Sequence, residues 1–456
     1  MKYRNDTQQQ ILKGKVAPNI IRTASPIFVA MSFYTAFNIV DTYFVSRLGT
    51  EALAAMGLTF PFFMFNVAFT QGVAIGTSSL VARALGAERE KSLIRAAGNS
   101  LSLALLVGLL FSITGLIFYP LMLDFMGAER TIAAQAGEYL HYMFLFIPVK
   151  FLMLAFDGLF RGEGKTKLSM VMLSSSALFN IILDPLLILG RGPFPALGIK
   201  GASLATALSW FLGIFISLFF FYTSRSSLPL NFKGLKPVQE LYLEIIKVGF
   251  PASLSTGSMS ISMLFLNRFA YQFNPQVVAA YAIGFRVDSL SILPGLSVAA
   301  ATIPLVGQNF GARQQKRASK FHSQGCLLAF LVMGFIGLII FIWPGFFSSI
   351  FIVEGTEKGS QVMEQGINYL RLVAFSYPFS GLGFVSNSSF QAIGAGLPPL
   401  FNSLLRFFIL AIPVSYLLAF VFNLGPTGIW LGITGANIVF GIFSFLWISL
   451  RLKKIN

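Results

Sequence analysis

Two carboxylates lie inside long apolar runs of the sequence. Asp41 follows the segment FNIV and Asp184 follows NIIL, and the second half of the chain has no counterpart to either. A carboxylate in hydrocarbon costs a few kcal/mol or more, so by default it marks a functional site that faces a cavity. The alternative is a carboxylate neutralised by a hydrogen bond that only joins two helices. Two such residues at matching depth favour a functional, ion-coupled site.

The depth of these carboxylates follows from the direction of the helices that carry them. With the N-terminus inside, Asp41, Asp184 and Thr206 each lie about five residues, or roughly 8 Å, from an outer helix end. Asn180 is one turn from Asp184 on the same helix face. We therefore expect these side chains at one level of the membrane, and we assign Ala202 to the same site.

The predicted site is rich in oxygen atoms. Two carboxylates, an amide oxygen and a hydroxyl suit a small alkali cation, because hard cations prefer oxygen ligands. Asp41, Asn180, Asp184 and Thr206 are therefore a possible Na⁺ site. The two carboxylates could instead share a proton, since burial and a like charge both favour the protonated form of a carboxyl group. The coupling ion is H⁺ or Na⁺, and the sequence does not choose between them.

The composition indicates the elements that position this site. Of the 456 residues, 55% are hydrophobic and only 11% are charged, with a mean hydropathy of +0.75. Such a chain is an all-α integral membrane protein rather than a soluble domain. Twelve transmembrane helices are predicted, at 18–46, 52–82, 94–119, 132–160, 168–189, 199–223, 241–271, 277–308, 319–344, 362–391, 398–422 and 427–451.

The net charge of +16 has a membrane explanation. The basic residues concentrate in the N-terminal arm, in alternate loops and in the C-terminal tail, as the positive-inside rule requires. This pattern argues against a nucleic-acid partner. It predicts a multi-pass protein of the cell (inner) membrane with both termini in the cytoplasm.

Cysteine and histidine are too few for an enzyme of the cysteine or zinc type. The chain has one cysteine, Cys326, and two histidines, His141 and His322, which lie near predicted helix ends. We expect no cofactor apart from the coupling ion. The chain is therefore not predicted to be an enzyme.

The sequence repeats itself with an offset of 225 residues. IIRTASP (20–26) aligns with IIKVGFP (245–251), and LVARALGAERE (80–90) with LVGQNFGARQQ (305–315). After a shift of five residues, FRGEG (160–164) aligns with FQAIG (390–394). We therefore predict an N-terminal six-helix lobe with the cation site (1–223), a cytoplasmic connector (224–240) and a pseudo-symmetric C-terminal six-helix lobe (241–456). Parallel repeats are a known transporter plan, with alternating access between the lobes.

These motifs together resemble the multidrug and toxic compound extrusion (MATE) family, in its prokaryotic DinF-type branch. The resemblance covers nearly the whole chain. Its carriers are FNIVD ending at Asp41, LGTEALAAMGLTFP (48–61), GTSSLVARALGA (76–87), RGEGKTK (161–167), NIILDP (180–185) and GASLAT (201–206).

The resemblance implies a MATE-like fold and a secondary active exporter. Its cargo would be organic, often cationic, small molecules, exchanged for H⁺ or Na⁺. It also implies that the positions of Asp41, Asn180, Asp184 and Thr206 bind the cation or proton. A twelve-helix chain with its own central path can work as a monomer.

Further residues are candidates for contact with the cargo or for movement. Candidate substrate contacts are Tyr34, Phe37, Asn38, Asp157 and Met172. An ion pair between Asp157 and Arg161, four residues later, is the favoured alternative for that carboxylate. Pro26 removes a backbone hydrogen bond from the first helix, which makes it either a hinge or a static kink. We expect Asp288 and Arg286, which share a helix, to pair across helices with Arg268 or Glu364.

Three functions compete for this chain. A flippase for lipid-linked oligosaccharide, or for another lipid-like substrate, is the chief rival of the drug exporter. Such a cavity should be lined by several basic residues, and the spans contain Lys150, Arg268, Arg286, Arg371 and Arg406. A channel lacks a repeated ring of filter residues. The paired acids of the first half favour the cation-coupled exporter.

Overall fold

The computed structural model describes residues 6–88, 90–228, 232–351 and 357–455, and in these ranges it is helical, with no strand. The helices are α1 (Asp6–Lys13), α2 (Val16–Ser46), α3 (Thr50–Gly86), α4 (Glu90–Phe125), α5 (Arg130–Glu163), α6 (Thr166–Ile188), α7 (Ile199–Tyr222), α8 (Gln239–Phe273), α9 (Pro275–Ser291), α10 (Leu293–Gly311), α11 (Gln315–Ile342), α12 (Pro344–Ser349), α13 (Glu357–Ala374), α14 (Tyr377–Ala392), α15 (Leu397–Leu404), α16 (Ile412–Tyr416) and α17 (Pro426–Ile455). A 3₁₀ turn spans Phe232–Leu235, and π-helical segments span Leu405–Ala411 and Leu417–Val421.

The apolar helices make the chain a multi-pass membrane protein. Among the described residues, nine helices are long and apolar enough to cross a membrane, or ten if α9 and α10, bent by 44°, form one span. The predicted span 241–271 coincides with α8, whose hydroxyl-rich run from Ser253 to Ser262 lowers its hydropathy. The predicted span 362–391 is broken between α13 and α14. Twelve crossings therefore stay a prediction.

The chain packs into two compact units. The first comprises the described residues of Met1–Lys13 together with Ser25–Ser253, and the second comprises Gly14–Ala24 and Leu254–Asn456. This division follows packing, whereas the predicted lobes 1–223 and 241–456 follow the sequence repeat. The lobe boundaries stay a prediction.

Residues paired by the internal repeat adopt similar backbone conformations. Gly164 and Gly394 both adopt a left-handed conformation with φ of 82°, which a residue without Cβ adopts at little cost. Each ends a helix in the same way, because the next amide donates back to Phe160 O or Phe390 O at 2.9 Å. Glu88 (φ 53°) and Arg313 (φ 57°), paired by the offset of 225, share a second unusual conformation. The two halves therefore use the same helix ends.

Small residues bring α3 and α5 into close contact. A Cβ atom at Gly158 of α5 would lie 2.6 Å from Ala74 O of α3, so glycine is required for this approach. One turn later, a Cβ atom at Gly162 would lie 2.9 Å from Ser78 O. Helices in membranes associate through such small-residue contacts, since lipid provides no hydrophobic driving force. The contact fixes α5, which carries several of the buried polar residues described below.

The connector is hydrogen-bonded to the first unit on both sides of residues 229–231, which lie outside the described residues. On one side, Glu163 accepts from Ser226 Oγ at 2.8 Å and from the Ser227 amide at 2.6 Å. On the other side, Asn99 Nδ2 donates to Gly234 O at 3.0 Å, and Asn99 Oδ1 accepts from the Val238 amide at 2.7 Å. The described parts of the connector are thus ordered by buried side chains of α5 and α4.

Replacing the glycine that ends α5 tests the strain of its left-handed conformation. We expect Gly164→Ala to destabilise the fold by about 1–2 kcal/mol, because Cβ then crowds the following carbonyl. Gly57→Ala is the matched control, since Gly57 is inside α3 with open space around its Cβ position. It should leave stability unchanged or raise it slightly. Thermal unfolding in detergent measures both, and an equal effect of the two changes would contradict the strain argument.

Candidate functional site

Helices α6 and α7 bring three of the predicted site residues together. The chain folds back after α6, with the Leu197 amide donating to Leu187 O at 2.9 Å. The Asn180 amide then bridges the helices: its nitrogen donates to Asp184 Oδ2 at 3.2 Å, and its oxygen accepts from Thr206 Oγ1 at 3.3 Å. This orientation of the amide satisfies both of its polar atoms. The one-turn spacing of Asn180 and Asp184 thus produces a direct contact.

The two carboxylates are buried and interact with each other. Asp41 on α2 is 6% exposed and Asp184 is fully buried. The charge of Asp41 acts electrostatically on Asp184, and both act on the hydroxyl of Tyr139. Asp41 Oδ1 has no hydrogen-bond partner among the described residues. Ala202, also fully buried, lies one turn before Thr206 on α7.

No basic side chain compensates these two acids. Within the part of the chain that the structure describes, no lysine or arginine forms an ion pair with Asp41 or Asp184. Two like charges without a partner are costly in a medium of low dielectric. A proton or a small cation would lower this cost, and the surrounding carboxylate, amide and hydroxyl oxygens are suitable ligands for it.

Tyr139 is the site residue that sequence reasoning missed. It lies nine residues after the start of α5, in a helix that runs opposite to α6. The depth argument was applied only to acids and their polar neighbours, and the same residue count places Tyr139 about 13 Å along α5, deeper than the roughly 8 Å of the acids. The count of depth does not place it at the level of the acids, so only the packing of the helices reveals its electrostatic interaction with them.

The Asp157 carboxylate is held by an ion pair inside the first unit. It is fully buried and contacts Arg161 twice, at 3.0 Å from Nε to Oδ1 and at 2.8 Å from Nη2 to Oδ2. Ser169 Oγ of α6 also donates to Oδ1. The pairing four residues apart is the one that the sequence favoured. Contact of Asp157 with a substrate stays a prediction.

The other candidate substrate residues occupy different environments. Tyr34 is exposed, and its ring packs edge-on against Phe37 with centroids 5.3 Å apart. Asn38 donates to Tyr34 O of the preceding turn at 2.7 Å. Met172 is fully buried, and its sulfur accepts a hydrogen bond from Ser217 Oγ at 2.9 Å. Tyr34, Phe37 and Asn38 thus share α2 with Asp41, whereas Met172 is enclosed between α6 and α7.

Comparison with known proteins identifies the family. The MatE family model matches residues 26–186 and again residues 251–417. The second match begins at the residue that the repeat pairs with the start of the first. The probable multidrug resistance protein YoeA of Bacillus subtilis (strain 168) is 27% identical, over 99% of both chains. An FAD transporter of Shewanella oneidensis is 25% identical, over 95% of this chain and 94% of the other.

A solved structure agrees in fold over the whole chain. A MOP superfamily transporter from Pyrococcus furiosus superposes with a TM-score of 0.92 at 29% identity, over 99% of each chain. The chain belongs to the MATE family. It is therefore a membrane transporter of the multidrug efflux type and not an enzyme, with the all-helical MATE architecture predicted from the sequence. The DinF-type branch is a finer assignment that stays a prediction.

In this MATE protein the buried acid of the second half has different hydrogen-bond partners from the acids of the first half. Asp288 of α9 accepts hydrogen bonds from the hydroxyls of Tyr369, at 2.6 Å to Oδ2, and of Tyr377, at 2.5 Å to Oδ1. Arg406 adds an attractive charge. The expected pairing of Asp288 with Arg268 is wrong, because tyrosines of α13 and α14 donate to both of its carboxylate oxygens. The acid of the second unit is thus compensated, unlike the pair in the first.

Pro26 lies inside α2, which continues through it as a helix. Its side chain is buried, and the boundary between the two compact units crosses α2 between Ala24 and Ser25. The missing amide of proline weakens the helix at this point. Its role as a hinge in this MATE protein stays a prediction.

Removing Arg161 tests whether the Asp157 charge depends on it. We expect Arg161→Met to destabilise the protein by about 3–5 kcal/mol, because it leaves a buried carboxylate without its partner. The double variant Asp157→Asn, Arg161→Met should recover much of this loss, since no buried charge remains. Thermal unfolding in detergent compares the two, and equal losses in the single and double variants would contradict the dependence.

Proposed function

We propose that this MATE protein exports organic, often cationic, compounds in exchange for H⁺ or Na⁺. The exchange ion binds at Asp41, Asn180, Asp184 and Thr206, with Ala202 packed beside them. The observation that carries this proposal is the pair of buried, interacting carboxylates for which no ion pair is found among the described residues.

Binding of the ion changes the electrostatic cost of the site. When empty, the site holds two carboxylates in a region of low dielectric. A proton can join Asp41 Oδ1, which has no hydrogen-bond partner among the described residues. A sodium ion can instead be held by the carboxylates, the amide oxygen of Asn180 and the Thr206 hydroxyl. Either ion removes one negative charge from the site and stabilises the enclosed state.

Antiport requires that ion and cargo favour opposite arrangements of the protein. A ligand shifts a conformational equilibrium only by its difference in affinity for the two states. The ion favours the state in which the carboxylates are enclosed, and the organic compound favours the state in which they are open. Alternating access of the two predicted lobes would then follow, with Pro26 as the candidate bend point of α2.

The cargo assignment is supported by the relatives and by the aromatic content. YoeA is named a probable multidrug resistance protein. Aromatic residues make up 15% of the chain, and Tyr34 with Phe37 lies within two turns of Asp41 on α2. Aromatic faces attract organic cations, and they offer adaptable apolar surface. Asn38, Asp157 and Met172 complete the proposed substrate contacts.

The cellular setting follows from the charge pattern. We place the protein in the inner membrane with both termini in the cytoplasm, since the basic residues concentrate there. It acts as a monomer, requires no cofactor beyond the coupling ion and has no nucleic-acid partner.

Transport in vesicles under imposed gradients tests the coupling. We expect a fluorescent organic cation to be moved by the native protein under a proton or a sodium gradient. Asp41→Asn and Asp184→Asn should each reduce gradient-driven transport by about tenfold or more, because an amide cannot carry the exchanged charge. If these variants lose transport under only one of the two gradients, that gradient identifies the coupling ion. FAD serves as a second cargo in the same vesicles, since one relative is an FAD transporter.

Asp288→Asn is the matched control for these variants. It removes a carboxylate of the second unit that is already compensated by two tyrosines. It should leave the dependence on the gradient intact. Unchanged gradient-driven transport in both first-half variants would refute the site, and transport of FAD in place of the organic cation would refute the cargo.

A further inference from the structure

Lys150 is a buried lysine in the middle of α5 that the cation site does not use. It is 6% exposed. It lies eleven residues after Tyr139 on the same helix, about 16 Å further along its axis. An ionisable residue at this depth is a functional candidate by default, because a charge in the membrane is costly to keep.

The contacts of Lys150 include one hydrogen bond and two aromatic rings. Its Nζ donates to Asn66 Oδ1 of α3 at 2.7 Å. The same nitrogen lies 5.4 Å from the ring centroid of Phe63 and 5.4 Å from that of Trp210 on α7. Amide and aromatic groups stabilise an ammonium, but they carry no negative charge. None of these three contacts supplies a negative charge to balance a protonated Lys150.

The helices that supply the contacts of Lys150 carry few acidic residues. Helix α7 contains no aspartate or glutamate. On α5, the acid next along the chain is Asp157, whose carboxylate is already paired with Arg161. Among the described residues no carboxylate forms an ion pair with Lys150. Lys150 is thus a buried basic residue without an ion pair among the described residues, as Asp41 and Asp184 are buried acids without one.

The group has more hydrogen-bond donors than acceptors. An ammonium has three donors and no acceptor, and one of the three is used by Asn66. The Asn66 side chain is 2% exposed, and its Nδ2, which carries two more donors, has no partner among the described residues. A buried positive charge beside an unpartnered amide donor is complementary to an acceptor with a negative charge.

We propose that Lys150 and Asn66 form a binding site for a small monovalent anion of the halide class. The anion accepts from Nζ of Lys150 and from Nδ2 of Asn66, and it cancels the charge that the protein leaves uncompensated. The side chains around the site come from α3, α5 and α7. This site is separate from the proposed cation site and does not depend on which ion drives transport.

Trp210 makes the proposed site observable. Its ring lies beside the Lys150 ammonium. Iodide quenches tryptophan fluorescence on contact, so an iodide ion bound at this nitrogen should quench Trp210. The tryptophan emission of the purified full-length protein is followed in detergent while iodide replaces gluconate at constant ionic strength. We expect a saturable loss of emission, in addition to the linear collisional quenching of exposed tryptophans, and we expect chloride to compete with it.

Four variants assign the saturable component. Trp210→Phe should abolish it by removing the reporter. Lys150→Met should weaken iodide binding by about tenfold or more, since a charge-assisted contact is lost. Asn66→Asp supplies a carboxylate to the ammonium and should abolish binding while the lysine stays in place. Lys200→Met is the matched control, because Lys200 lies ten residues before Trp210 at the start of α7 and stacks on Tyr142. It should leave the component unchanged.

The result can go against the proposal in two ways. The proposal is overturned if the native protein shows linear quenching without a saturable component, as expected if water fills the site. A saturable component that persists in Lys150→Met also overturns it. If Lys150→Met does not fold, Asn66→Asp decides in the same way, because it changes the partner and keeps the lysine.

Discussion

The structure depends on how charge is compensated in a medium that cannot solvate it. Asp157 is paired with Arg161, Glu163 with Lys165, and Asp288 with two tyrosine hydroxyls. Each of these acids is part of a closed set of donors and acceptors, so it holds helices together at little electrostatic cost. Asp41 and Asp184 differ, because each is under the electrostatic influence of the other and no ion pair compensates them among the described residues. The proposed transport chemistry rests on this difference.

The two repeats share backbone conformations at helix ends but differ in their buried polar side chains. Both halves keep the same left-handed glycine at a helix end and the same unusual backbone at Glu88 and Arg313. The polar chemistry inside them has diverged, since the first unit holds an amide, a hydroxyl and two acids where the second holds an acid bound by tyrosines. The shared backbone conformations end helices in both halves, whereas the buried polar side chains differ between the halves.

Much of the fold and part of the site could be predicted from the sequence. The predicted span 168–189 differs from α6 (Thr166–Ile188) by two residues or fewer at each end, because a long apolar run defines a helix in a membrane. The contact of Asn180 with Asp184 followed from their spacing. The break between α9 and α10, the partners of Asp288 and the approach of Tyr139 did not follow, because each depends on which helices pack side by side. The periodicity of apolar residues along the sequence does not show which helices pack side by side.

The connector has a consequence for how such a protein could be divided. Its described parts are bound by Glu163 and Asn99, which both belong to the first unit. A fragment that stopped at residue 223 would lack the connector groups that Glu163 and Asn99 bind. The described connector residues therefore belong structurally with the first unit, and a division of the protein into two fragments would have to leave them attached to it.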